Sequence, residues 1–353
     1  MKRNRIILMI VIIILILTSI ILLVTPSTGT LKSRDKDFSV RDTASIHKIF
    51  LAKKDGSMIL LDRQETGKWK LNEEYEASTY LVNLLLETMC RIRAEQPLPK
   101  AAVENIIKRL SVVATKVEIY GTAHKIDFLG LKWFPYEKMI KCYYIGDVTQ
   151  DNLGTYMLMD GSDMPFVVSM PGFRGYVAAR YQLKLDEWRD HSIFRLNAND
   201  IASVKVENRR NADESFIVDA SSPTRKFAFT TLEGNPVSYV IDSLKIYNYL
   251  NSFKRVNAET FITLDTPEQT RDSIINSAPY YNLEVKQRDG QTHSISFYPL
   301  VLEDYMDEKT GEDAVSIDRA YAWDGRELMM IQYFTFDKIL RNRSYFYMER
   351  PKR

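Results

Sequence analysis

Cysteine and histidine are scarce in this 353-residue chain, which holds only Cys90, Cys142, His47, His124, His191 and His293. The two cysteines lack the paired spacing of a zinc site, and the histidines are scattered without a repeated interval. The chain also has no G-x-S-x-G elbow, no phosphate-binding G-x-x-x-x-G-K and no H-E-x-x-H, so no catalytic residue, metal ligand or cofactor is assigned. An excess of one charge is missing as well, with 48 basic against 46 acidic residues. Without a basic stripe, neither nucleic acid nor an anionic membrane surface is favoured as a partner. The acidic segment Glu303-Asp304, Asp307-Glu308 and Glu312-Asp313 lacks the register of a calcium loop and reads as a solvated insertion.

The chain does have one long apolar run, from Ile6 to Val24, interrupted only by Thr18 and Ser19 and preceded by Lys2, Arg3 and Arg5. At 1.5 Å per residue a helix over 6–24 covers roughly the 30 Å hydrocarbon thickness. A cleaved signal peptide is shorter, about 7 to 15 apolar residues, and ends in a small-x-small site. The run continues instead into Thr25-Pro26-Ser27, with no cysteine to carry a lipid. The sequence therefore predicts a cytoplasmic stub and transmembrane signal anchor over 1–27 and a tether over 28–43. Basic residues remain on the cytoplasmic side, which puts the N-terminus inside and the remainder outside.

That remainder is too long for one core, and comparison of it with itself shows matching elements in the same order. Ile46–Leu51 resembles Ile201–Val206, each with an alternating apolar face, and a polar turn follows in both. Returning strands are expected over 58–61 and 216–218, then strands carrying Trp69 and Leu71 or Phe227 and Phe229. Amphipathic helices follow, through Ala77, Tyr80, Leu81, Leu84, Leu85, Met89 and Ile92, and through Val237, Val240, Ile241, Leu244, Tyr247 and Leu250. Strands begin again at Val117 or Leu283, and Tyr156–Gly161 matches Tyr321–Gly325 through an Asp-Gly turn. The expected fold class is α+β: an N-terminal transmembrane helix, then two tandem repeats of an antiparallel sheet with helices packed on one face. The repeats are placed at 44–190 and 191–353.

Three features qualify as candidate sites. The segment around Trp133, Phe134 and Tyr136 concentrates aromatic side chains beside Pro135 and has no obvious match in the second repeat. It would serve either as a plug within the core or as a partner surface, where aromatics are enriched. Gly146, Gly154, Gly172 and Gly175 lie in turn-like segments that would suit a ligand loop or ordinary turns. Cys90 falls on an expected helix and Cys142 in an apolar strand, typical places for free thiols, although an exported protein can also pair such residues. His47 shares the strand of Ile49 and reads as a half-buried structural histidine.

The order of Ile49, Asp55-Gly56, Trp69-Lys70-Leu71, the following helix, Tyr144-Ile145-Gly146 and Gly154-Thr155-Tyr156 resembles domain of unknown function family 4340, a bacterial family, over most of residues 44 to 345. The resemblance implies an N-terminal anchor and an envelope-facing repeat domain, with some members occurring beside gliding-type ABC transporter components. It carries over no catalytic residue. The insertions around Trp133 and near Asp307 depart from the common pattern. The expectation is a single-pass protein of the bacterial inner membrane with its C-terminal domain in the periplasm. It would act as a non-catalytic binding or scaffold component with a membrane-protein partner such as a transporter component. An enzyme acting on envelope polymer or lipid, and a solute-binding subunit, are the alternatives.

Overall fold

The computed structural model describes residues 14–16, 18, 19, 33–128, 131–222, 226–306, 311 and 313–348; side chains of 124–132, 303 and 304 are excluded. The anchor expected at residues 6–24 lies outside the described residues except for short helical pieces at 14–16 and 18–19. Among the described residues no helix is long and apolar enough to cross a membrane. The chain divides into two compact units, Met1–Lys184 and Leu185–Arg353, with the break slightly before the expected boundary at 190.

Unit one is built on a nine-stranded antiparallel sheet. Its strands are β1 (Ile46–Ala52), β2 (Met58–Arg63), β3 (Trp69–Leu71), β4 (Tyr75–Glu76), β5 (Arg93–Pro97), β6 (Thr115–Phe128), β7 (Leu131–Val148), β8 (Thr155–Met159) and β9 (Phe166–Ser169). They lie side by side in the order β4-β3-β2-β1-β6-β7-β8-β9-β5. Period-two alternation sends Ile49, Leu51, Ile59, Leu61, Val117 and Ile119 to one fully buried face. Helix α1 (Thr79–Arg91) buries Val82, Leu85, Thr88 and Met89; its first turn is capped by Ser78, whose hydroxyl accepts from the Leu81 amide. A 3-10 turn at Val177–Tyr181 adjoins it, with Arg180 donating to Thr88 Oγ1 at 2.8 Å and the Tyr181 hydroxyl 3.2 Å from that of Tyr143 on β7.

Helix α2 (Lys100–Val113) packs on the opposite face, where Ile106, Leu110 and Ala114 meet Tyr144, Tyr156 and Leu158. The expectation of helices on one face alone is therefore corrected for this unit. Tyr143, Met157 and Met159 are buried on one side of β7 and β8, while the neighbouring Tyr144, Tyr156 and Leu158 supply a second apolar surface that needs its own cover.

Unit two begins with the short helix α3 (Leu185–Trp188). Its strands are β10 (Ser192–Phe194), β11 (Ile201–Asn208), β12 (Phe216–Asp219), β13 (Ala228–Thr230), β14 (Val256–Asn257), β15 (Thr260–Phe261), β16 (Tyr281–Gln287), β17 (Thr292–Met306), β18 (Asp313–Trp323) and β19 (Leu328–Gln332). Eight form a sheet in the order β13-β12-β11-β16-β17-β18-β19-β15, which parallels the first sheet strand for strand from β3 through to β5; β10 pairs with β14. Both central strands carry a register irregularity at the same place, between Ile46 and Lys48 of β1 and between Ile201 and Ser203 of β11.

Helix α4 (Ser243–Asn251) buries Ile246, Tyr249 and Leu250 in the core of this unit, beside Phe216, Phe253 and Phe346. It starts later than the apolar spacing predicts, because the Asp242 carboxylate caps the amides of Leu244 and Lys245. Val240, before the helix, and Leu244 and Tyr247, on its outer side, are exposed. Helix α5 (Glu268–Asn276) buries none of its residues.

Candidate functional site

Strands β6 and β7 form an arm longer than the sheet that supports it. Their pairing runs from Thr115 opposite Ile145 to Phe128 opposite Leu131. Strand β1 accompanies β6 only as far as Ile46 opposite Gly121, and β8 accompanies β7 only from Tyr143 onward. From Thr122 to Glu137 the arm is thus a two-stranded ribbon, which cannot bury both of its faces. Trp133 is 56% exposed, Phe134 64% and Tyr136 41%, with Met139 also exposed near the base. Trp133, Phe134 and Tyr136, the aromatic residues expected from sequence to act as a plug or a partner surface, are all exposed on this ribbon. Phe134 adopts a left-handed backbone conformation, φ 57°, which is uncommon for a bulky residue.

A polar clasp fixes the base of the arm to the sheet. Lys48 Nζ donates to both carboxylate oxygens of Glu137, at 3.0 and 2.9 Å, and His47 Nε2 lies 3.0 Å from Glu137 Oε2. The register irregularity between Ile46 and Lys48 lets adjacent residues converge on one carboxylate, where regular alternation would send them to opposite faces. His47 is therefore a partner of the arm, and its Nδ1 is buried without a hydrogen bond. Lys48 also sits 5.5 Å from the Tyr120 ring centroid, and the Tyr120 hydroxyl donates to Glu118 at 2.6 Å. The hydrogen bonds from His47 and Lys48 hold the Glu137 carboxyl below its ordinary range, and the bond to Glu118 pushes the Tyr120 hydroxyl up to about 12. These groups are engaged with one another, as members of a structural network are.

The four glycines do not converge on one loop. Gly146 is on β7 beneath α2, Gly154 closes the β7–β8 turn by donating its amide to Thr149 Oγ1 at 2.9 Å, and Gly172 and Gly175 lie in the segment after β9. Cys90 and Cys142 are free thiols, and burial pushes Cys142 up to about 11. Among the described residues no group of three or more His, Cys, Asp and Glu side chains could hold a metal ion. Most of the acidic segment from 303 to 313 falls outside the described side chains.

Two features were not anticipated from the sequence. Strands β17 and β18 make a second extended hairpin that exposes Tyr305, Met306 and Ile317, the last at 87%. Period-two alternation in Val315 and Ile317 is the sequence signal for it, beside an acidic stretch whose charges suggest a solvated insertion. A buried ionic network also forms around α3. Arg189 Nη2 is 2.9 Å from Glu327 Oε1 and its guanidinium stacks 3.9 Å from the Phe261 ring centroid. Asp186 accepts from Thr260 Oγ1 at 2.6 Å and from the Phe261 amide at 3.0 Å, and it pairs with His191 at 3.3 Å. His293 meets Gln287 at 2.9 Å and lines a separate pocket of about 610 Å³.

No curated protein and no solved structure matches the chain. The family described as Domain of unknown function (DUF4340) matches residues 69–274, more than half of the sequence. That stretch runs from β3 through the exposed arm and the segment joining the units into α5, and by this match the chain belongs to the DUF4340 family.

Proposed function

We propose that this protein is a non-catalytic binding or scaffold component of the bacterial envelope, held in the inner membrane by a single N-terminal helix over residues 6–24. The observation that carries the binding assignment is the exposure of Trp133, Phe134 and Tyr136 on a hairpin held at its base by the bonds from Lys48 to Glu137. Aromatic side chains preorganised on a stiff element bury large area at low entropic cost, which is what a docking surface requires. The apolar run and its basic flank support an orientation with the folded units in the periplasm. Anchoring would raise the effective concentration of a membrane-protein partner, so a modest interface would suffice. The family resemblance supports an accessory role beside a transporter component. Duplication of one ancestral unit accounts for the parallel strand orders and the equally placed irregularities in β1 and β11.

The test is crosslinking of the full chain in native membranes, followed by mass spectrometry. Reproducible crosslinks from residues 131–139 to another membrane protein, lost in Trp133→Ala with Phe134→Gly, are the expected result. Crosslinks that map elsewhere, or that survive the double variant, would remove the arm from the docking role.

A further inference from the structure

Beside α2 the sheet of unit one leaves an apolar groove of about 460 Å³. Its walls are Ile107, Leu110 and Ala114 from the helix side and Ala52, Tyr144 and Leu158 from the sheet. Its other lining residues are Ser111 and three lysines, Lys53, Lys54 and Lys116, with no acidic residue among them. Lys116 is already paired with Glu118 at 2.6 Å. Lys53 and Lys54 are exposed at the turn after β1 and form no ion pair with the described residues. Val112 and Val113 stay exposed at the end of the same helix.

We infer that this groove binds a single-chain anionic amphiphile, a long-chain carboxylate, with its tail along α2 and its headgroup on Lys53 and Lys54. The volume falls within the roughly 300–1,000 Å³ of small-ligand pockets, which combine apolar walls with a few placed polar groups. A neutral apolar ligand would leave the cationic rim unused, and a small anion would leave the apolar walls wet. Only a molecule with both parts satisfies both. The equivalent seam in unit two argues that the lysines are not a requirement of helix-on-sheet packing. There the pocket beside α5 is lined by Gln269, Thr270, Ser273 and Ser277 and contains no cation. Neither the docking role of the arm nor the membrane anchor is needed for this assignment.

The test uses the purified full-length chain, exchanged out of detergent into a peptide scaffold and photolysed with a diazirine-bearing palmitate analogue. Labelled peptides are expected from residues 100–114 and from β7 and β8. Competition by unlabelled saturated carboxylates should strengthen about fourfold per added methylene until the groove is filled. Ser111→Phe, which places bulk into the groove from an exposed helix position, should abolish the labelling. Lys53→Glu with Lys54→Glu should weaken it about fivefold, with the melting temperature unchanged. Labelling that falls elsewhere or ignores Ser111→Phe would overturn the inference. So would equal competition by a palmityl amine, or better competition by phosphatidylglycerol vesicles than by the free carboxylate.

Discussion

Leu110 of α2 rests on Gly146 of β7 so closely that a Cβ built on Gly146 would stand 2.2 Å from Leu110 Cδ2. The glycine is what allows the helix to reach the second apolar face of the sheet. Gly146→Ala forces the leucine to move or the helix to lift, and the Tyr156 carbonyl oxygen, 3.3 Å from the same Cβ position, cannot give way. The expected cost is about 1–2 kcal/mol, since a leucine terminus yields more readily than backbone. Denaturant unfolding should show it, and Leu110→Ala in the same chain should cancel part of the loss. Additive losses would mean that the two residues are not coupled.

The Asp186–His191 pair sets a pH window for unit two. Burial pushes the Asp186 carboxyl up, but the bonds from His191, Thr260 and the Phe261 amide outweigh it and hold the group near about 2, against an ordinary 3.8. His191 is raised from 6.5, chiefly by its hydrogen bond to Asp186, with burial and Arg189 opposing. A depressed carboxyl stabilises above its unfolded value and loses that contribution as pH falls, here below 3.8 towards about 2. A raised histidine stabilises fully below 6.5 and loses it as pH rises through the folded value. Stability from the pair should therefore plateau between about pH 4 and 6.5 and decline on both sides. Replacing His191 with Gln should remove the alkaline decline and leave part of the acid one. Asp186→Asn should remove both, at a cost of about 2 kcal/mol at pH 5. Urea midpoints across the pH range provide the check, and an unchanged alkaline limb in the His191 variant would refute the assignment.

Arg189 is 7% exposed, and its guanidinium meets Glu327 and the Phe261 ring among its partners. Glu327→Gln weakens one charge-assisted bond to this buried group and should destabilise unit two by about 2 kcal/mol. Arg189→Met combined with Glu327→Gln should recover a large share, because the buried guanidinium and its desolvation cost are then gone. If the double variant were less stable than Glu327→Gln alone, burial of the charge would not be the dominant cost.

The sheet strands were legible because one alternating face is buried: Ile49, Leu51, Val204 and Val206 stand where period two puts them. Helix faces were harder. Tyr80, Leu244 and Tyr247 satisfy a helical spacing yet are exposed, since their helices carry apolar residues on more than one side and spacing alone does not select the buried one. The pairs that organise the sites join residues far apart in the chain, Lys48 with Glu137 and Arg189 with Glu327, and no local pattern announces them. Gly146 reads as turn-like in the sequence yet lies in a strand, where Leu110 packs above it in a contact that spacing does not reveal.

Exposure of the arm separates its stability from its binding. Trp133 and Phe134 contribute little buried area to unit one, so Trp133→Ala should change unfolding free energy by no more than about 0.5 kcal/mol. Phe134→Gly should be neutral or slightly stabilising, because glycine accepts φ 57° without the steric penalty carried by phenylalanine. Glu137→Gln acts differently. It leaves the aromatic surface intact but loosens the hold of His47 and Lys48 on the ribbon, so hydrogen exchange should quicken from Thr122 to Glu137 while the rest of the sheet stays protected. Partner crosslinks should then fall with either kind of variant, by loss of contact area in one case and of preorganisation in the other. Unfolding of the whole unit by Trp133→Ala would instead show that the aromatics belong to its core.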